Sequence, residues 1–119
     1  MGYDFSNESP IYLQIIEFFK EKIISGFYGC CERLPSVRDM SVDFGVNPNT
    51  IQKALGELES MGLIYTESTN GKFVTADKQL IERVANETME LKIEEFYCSM
   101  EKLGFTRKQV LKILKEKEI

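Results

Sequence analysis

The sequence predicts a mainly α-helical chain with one small β-hairpin, and three observations carry that prediction. Two runs of helical periodicity meet at Gly45, with Asn47-Pro48 restarting the second. An Asn70-Gly71 pair stands between two short strand-like runs. From Lys78 to about Lys102 no Pro or Gly interrupts a long apolar-rich stretch.

The elements follow in order. Ser9-Pro10 reads as a helix start, Ser capping and Pro at the first helical position, where its missing N–H costs nothing. Ile11, Ile15, Phe18, Phe19, Ile23 and Phe27 then recur at helical spacing, and Gly26 closes the helix near Ser25. After the irregular link FYGCCERL, Ser36 followed three residues later by Asp39 is a capping box, so a second helix should run from Val37 to about Phe44 with Met40 and Phe44 inward. Gly45 ends it. Asn47 is a good N-cap and Pro48 a good first residue, with Ile51, Leu55, Leu58 and Met61 as the inward stripe of a third helix. Two helices joined by a short turn containing Gly make a helix-turn-helix.

Gly62 ends the third helix, and Leu63 to Glu67 reads as a strand. Asn70-Gly71 is the strongest short hairpin signal, and Lys72 to Thr75 is the returning strand. A helix-turn-helix followed at once by a hairpin is a winged helix, which sets a boundary between residues 1–76 and 77–119. Beyond it, Leu80, Ile81, Val84, Ala85, Met89, Leu91, Ile93, Phe96, Tyr97, Met100 and Leu103 cover more than one stripe of the long helix. Gly104 interrupts it, and Thr106 with Gln109 caps a last helix whose Val110, Leu111 and Leu114 face inward. Two helices alone would leave much of that apolar set exposed, so a homodimer built on this segment is expected, with helices folded back on a monomeric winged helix as the alternative.

Composition excludes several classes of function. The chain of 119 residues contains no histidine, which removes the commonest general base and every Ser-His or Cys-His nucleophile pair. It has no phosphate loop, and its carboxylates lie in mixed-charge helical stretches, so an enzyme is not expected. Three cysteines without histidine cannot complete a tetrahedral zinc site in one chain, and no metal or cofactor is expected. Cys30, Cys31 and Cys98 read as reduced thiols, with a thiol or metalloid sensor at Cys30-Cys31 as the alternative. No apolar run reaches the roughly 20 residues of a membrane span, and the N-terminus lacks the regions of a signal peptide, so a cytoplasmic location is expected. Met1 to Ser6 fits the loose spacing of an N-myristoylation signal, but no polybasic second anchor follows it.

Six segments together identify a family: PIYLQI at 10–15, IISG at 23–26, RLPSVRDM at 33–40, GVNPNTIQKAL at 45–55, ELESMGLI at 57–64 and GKFV at 71–74. Over residues 9–75 the chain resembles the GntR family of bacterial transcription regulators, and within it the short YtrA-type branch. The resemblance implies a winged helix that binds double-stranded operator DNA as a homodimer, with a short helical C-terminal part serving dimerisation. It also implies repression, often of neighbouring transporter genes. Ser36, Arg38, Asn47, Asn49, Thr50, Gln52 and the wing tip take the family's DNA-contacting positions. The sequence departs from the family at Cys30-Cys31, which replace a Pro-x-Gly-like turn, and at Thr69-Asn70-Gly71, which replace a Gly-basic-Gly wing. Members outside the branch commonly carry Arg where this chain has Pro48 and Gln52.

The same residues have chemical reasons for those roles. Ser36 caps a helix N-terminus, where free N–H groups and the dipole favour a phosphate oxygen. Arg38 can pair its fork with guanine O6 and N7, or be held by Asp39 or Asp43. Asn49 and Gln52 suit adenine and Thr50 the thymine methyl, whereas Asn47 is either a reader or a cap. Lys53 and Lys72 suit phosphates, and Asn70 and Gly71 the minor groove.

Charge works against this reading in bulk: residues 1–77 hold 6 Lys/Arg against 11 Asp/Glu, and residues 78–119 hold 9 against 8. What supports it is placement, with Arg33, Arg38, Lys53 and Lys72 on the DNA-facing elements and Glu17, Glu21, Glu57 and Glu59 expected to point away. The basic residues Arg107, Lys108, Lys112, Lys115 and Lys117 alternate with acids and read as a solvated helix face. A winged helix serving protein contacts and a DNA-binding thiol or small-ligand sensor are the rival functions, and a small-molecule effector is left open as a further partner.

Overall fold

The computed structural model describes Phe5 and residues 9–118. The Met1–Ser6 acylation pattern falls, apart from Phe5, outside the described residues. Helix α1 runs Ile11–Ile24, α2 Val37–Phe44 and α3 Pro48–Ser60; strands β1 (Ile64–Glu67) and β2 (Gly71–Val74) follow, then α4 (Lys78–Lys102) and α5 (Arg107–Glu116). The chain divides into two compact units, the first ending at Glu82 and the second beginning at Arg83.

In the first unit, α3 lies at the centre, packed against α1, α2 and β1. Its buried stripe is Ile51, Ala54, Leu55 and Leu58. Ile15, Ile16, Phe19 and Ile23 of α1 meet it, and Leu34, Met40, Leu63, Ile64 and Val74 close the core. Burying a side chain of this size stabilises by about 1.5–3 kcal/mol, which is what holds three short helices and a two-stranded sheet together. Phe44 is half-buried at one end, its ring edge-on to Phe18 at 5.4 Å and to Phe19 at 6.0 Å.

Three expectations are corrected in this unit. Pro10 is itself the N-cap of α1 and makes no side-chain capping bond; Ser9 instead accepts a hydrogen bond on its carbonyl from the Gln14 amide at 2.9 Å. Ile11 and Phe27 are exposed, Ile11 as the first residue of α1 and Phe27 three residues past its end. The hairpin does not turn on Asn70-Gly71. Glu67 pairs with Gly71, so Ser68–Asn70 form the loop as one 3₁₀ turn, and Gly71 opens β2.

The sheet gains a third edge from the link before α2. The N–H of Cys31 donates to Val74 O (3.0 Å), that of Val74 to Glu32 O (2.9 Å) and that of Leu34 to Lys72 O (2.8 Å), and Arg33 bridges Phe73 antiparallel. Residues 31–34 therefore fix both the base of the wing and the entry to α2.

In the second unit, α4 turns into α5 at Gly104, whose φ of +94° suits glycine. Thr106 and Gln109 form the expected reciprocal capping box. Arg107 makes a bidentate pair with Glu94 (2.8 and 2.7 Å) and reaches Glu101 at 3.4 Å, so this member of the basic tract is not a free cation. Val110 is buried as expected, but Leu111 and Leu114 are exposed. Met89, Leu91, Ile93, Phe96, Leu103, Phe105 and Ile113 are exposed as well. Among the described residues no helix is long and apolar enough to cross a membrane.

Candidate nucleic-acid interface

The turn between α2 and α3 is locked by local hydrogen bonds. Gly45 takes the left-handed conformation (φ +65°) that ends α2. The Ser41 hydroxyl donates to Val46 O at 2.6 Å, and Asn47 Oδ1 accepts from the Asn49 N–H at 2.7 Å. Asn47 is thus the cap of α3, and its side-chain oxygen is committed. Since Ile51, Ala54, Leu55 and Leu58 point inward, the helical period turns Asn49, Gln52 and Lys53 outward; all three are exposed, and Thr50 is half-exposed.

At the start of α2, Ser36 Oγ accepts from the Asp39 N–H at 3.0 Å. Arg38, in the first turn, is exposed and has no ion pair with Asp39 or Asp43 or any other described residue. Arg33 is also exposed and unpaired, with its side chain lying over Gly71: a Cβ built on Gly71 would stand 3.1 Å from Arg33 Nε.

The lysines behave differently. Lys53 Nζ sits 3.8 Å from the centroid of the Tyr12 ring, a cation–π contact that pins it against α1. Tyr12 was not among the sequence candidates; its polar tip and position on the half-exposed side of α1 were the available signal. Lys72 Nζ lies 3.2 Å from Glu59 Oε1 and 2.7 Å from Thr66 Oγ1. Glu59 therefore does not point away from the wing, as expected from sequence; it spans from α3 to the hairpin, because residues 59, 66 and 72 face one another across α3 and the sheet. Burial works to raise the Glu59 pKa, but hydrogen bonds from Lys72 and Thr66 together with the Lys72 charge outweigh it, and the carboxyl ends below its ordinary range.

Among the described residues, Arg33 and Arg38 are thus the cations of this surface with neither an ion pair nor a cation–π contact. Arg33, Ser36, Gln52, Gly71 and Lys72 line one cleft of about 300 Å³, with Thr66 and Pro35 beside them. Arg38, Asn47, Asn49, Thr50 and Lys53 lie outside its lining, along α2 and α3, and Asn70 lies on the wing loop, where its amide reaches Glu67 at 3.4 Å. Among the described residues no group of three or more Cys, Asp or Glu side chains is placed to hold a metal ion.

Known proteins share this arrangement. The sequence profile of the gntR family of bacterial regulatory proteins matches residues 11–74. The transcriptional regulator YhcF of Bacillus subtilis is 30% identical over 115 residues, 97% of this chain and 95% of its own length. The transcriptional repressor YtrA of Bacillus subtilis is 34% identical over 101 residues, 80% of this chain and 78% of its own. Among solved structures, a GntR family transcriptional regulator from Listeria monocytogenes superposes with a TM-score of 0.85 at 37% identity, covering 96% of this chain and all of that one. AraR(DBD) in complex with operator ORX1 superposes with a TM-score of 0.57 at 30% identity, covering 63% of this chain and 95% of that one. With the winged helix in place and regulators, not enzymes, on every side, the chain belongs to the GntR family of bacterial transcriptional regulators, in its YtrA-type branch.

Proposed function

We propose that the chain is a homodimeric, sequence-specific repressor that reads a near-palindromic operator with α3 and grips the backbone with α2 and the wing. The carrying observation is the exposed set Arg38, Asn49 and Gln52 on a capped, locked helix-turn-helix, flanked by the Arg33–Gly71 wing base. Arg38 pairs with a guanine edge; Asn49 and Gln52 take adenine, and Thr50 touches a thymine methyl. Ser36, Arg33, Lys53 and Lys72 serve phosphates, the lysines after leaving Tyr12 and Glu59, and Asn70 and Gly71 follow the minor groove. Asn47 acts as the cap that aims the others. The likeness to AraR(DBD), solved with operator DNA, supports this mode of docking, and YtrA, named as a repressor, supports the direction of regulation.

The homodimer is supported by the apolar residues that α4 and α5 leave exposed, among them Phe96, Phe105, Ile113 and Leu114. The branch's habit of repressing adjacent transporter genes makes such an operon the first place to seek the operator. Selection from random duplexes at about 100 mM salt tests the reading: inverted repeats with half-sites about one helical turn apart are expected. No enrichment, or enrichment of a single half-site bound by a monomer, defeats it.

A further inference from the structure

Cys30 and Cys31 have no part in the proposed DNA contacts, yet they are the most chemically distinctive feature of the first unit. Both are exposed, and their sulfurs lie 3.7 Å apart on one side of the chain. Cys31 holds a φ of +67°, a conformation that costs an ordinary residue about 1–2 kcal/mol. Backbone bonds keep it there: the Cys31 N–H donates to Val74 O at 3.0 Å, and the next residue's N–H donates to Gly29 O at 3.0 Å.

This geometry selects among thiol chemistries. A disulfide would have to draw the sulfurs to about 2.03–2.05 Å between adjacent residues, whose Cα spacing of about 3.8 Å falls short of the usual disulfide range. A bridging atom bonded to both sulfurs needs no such contraction. The hydrogen bond from Cys30, with desolvation and the charge of Cys30 adding to it, pushes the Cys31 thiol up, which slows its reaction with alkylators and peroxides that require thiolate. With no third ligand among the described residues, the pair does not suit zinc, which wants four. On the adjoining strands Tyr65 pairs with Phe73, which Arg33 bridges two residues beyond Cys31, and the Tyr65 phenol is raised by burial and by the charges of Cys31, Glu67 and Cys30. Its ring stacks on Phe73 at 5.8 Å.

We infer that Cys30 and Cys31 form a chelating dithiol site for a singly substituted trivalent arsenical, and that loading it weakens operator binding through the 31–34 edge. The reaction is a condensation: an aryl arsenoxide gives up its oxygen as water with the two thiol protons, two As–S bonds replace the two S–H bonds and the As–O double bond, and arsenic stays trivalent. The aromatic pair Tyr65–Phe73 offers a face to the aryl group. Coupling follows from connectivity, because the loaded residues continue into Glu32 and Arg33, bonded to Val74 and Phe73, and then into the Ser36 cap of α2. The coupling rests on the DNA-binding reading; the dithiol site does not.

Phenylarsine oxide is the probe. Intact-mass spectrometry of the full chain should show one phenylarsine per chain, with two thiols lost and Cys98 still titratable. The adduct should survive excess glutathione and be removed by a dithiol. Cys30→Ser and Cys31→Ser should each weaken retention roughly 10²–10⁴-fold, the loss expected when a second tethered attachment is removed, while Cys98→Ser changes nothing. An adduct on Cys98, or one that either single variant retains, overturns the site. Fluorescence anisotropy on the selected operator should then show an affinity loss of about tenfold for loaded wild type and none for treated Cys30→Ser, within the span of coupled sites. Full loading with unchanged affinity overturns the coupling. If the untreated chain binds no operator, the DNA reading fails while the mass readout still decides the site.

Discussion

Gly71→Ala separates the wing's geometry from its chemistry. Gly71 has φ +105° and ψ −157°, a region essentially reserved for glycine, and an L-residue forced there costs about 1–3 kcal/mol. The added Cβ would also stand 3.1 Å from Arg33 Nε and 3.5 Å from its Nη2. That clash is with the far end of a flexible, exposed side chain, so Arg33 swings away at little cost in stability but leaves the wing base. Against the roughly 5–15 kcal/mol of a typical domain the variant stays folded. Its Tm should fall by about 4–8 °C for each kcal/mol lost. Circular dichroism melts measure this, with operator anisotropy on the same samples, where affinity should drop as well. Ser68 supplies the contrast: its φ of +41° is one glycine accepts, so Ser68→Gly should be neutral or stabilising by up to about 1 kcal/mol. A Gly71→Ala protein with unchanged Tm, or a Ser68→Gly protein as destabilised as it, would refute the reasoning.

Two further outcomes follow from the same surface. Asn47→Ala removes the α3 cap and should cost about 0.5–2 kcal/mol in urea unfolding, while Asn47→Ser restores both stability and operator affinity; a stable Ser variant that has lost sequence discrimination would make Asn47 a base reader. The Glu59 pair with Lys72 is partly exposed and contributes about 0.2–1 kcal/mol. Because the folded carboxyl titrates below its ordinary value of 4.5, that contribution is full above 4.5 and is lost as pH falls through the lower folded value. Glu59→Gln should therefore be less stable than wild type at neutral pH, with the difference shrinking as pH falls below 4.5; a difference that does not shrink in acid would assign it to packing.

Punctuation made the helices legible. Ser36, Gly45, Asn47-Pro48, Gly62, Gly104 and Thr106 each impose a backbone geometry that only a few residues supply; α2 and α3 start and stop beside the first four, and the turn from α4 to α5 carries the last two. The Asn-Gly pair locates the hairpin but not its loop: register depends on which residues pair across the sheet, and neither the Glu67–Gly71 pairing nor the bonding of residues 31–34 to Lys72 and Val74 shows in a local pattern. Site residues on helices could be placed because periodicity separates Asn49 and Gln52 from Ile51 and Leu55. What stayed hidden were side-chain partners distant in sequence. Lys53 over Tyr12 and Lys72 on Glu59 join residues 41 and 13 positions apart, and both change which cations are free.

The most direct test is Arg38→Ala, since Arg38 is the unpaired cation at the entry to the recognition surface. Anisotropy on the selected operator and on a scrambled duplex gives the specificity ratio, with circular dichroism and sedimentation confirming fold and assembly. Losing a bidentate guanine contact removes about 1–3 kcal/mol of discrimination, so the ratio should fall by roughly 5- to 150-fold while the scrambled duplex is affected far less. An unchanged ratio in a folded, equally assembled variant would contradict DNA reading by this surface.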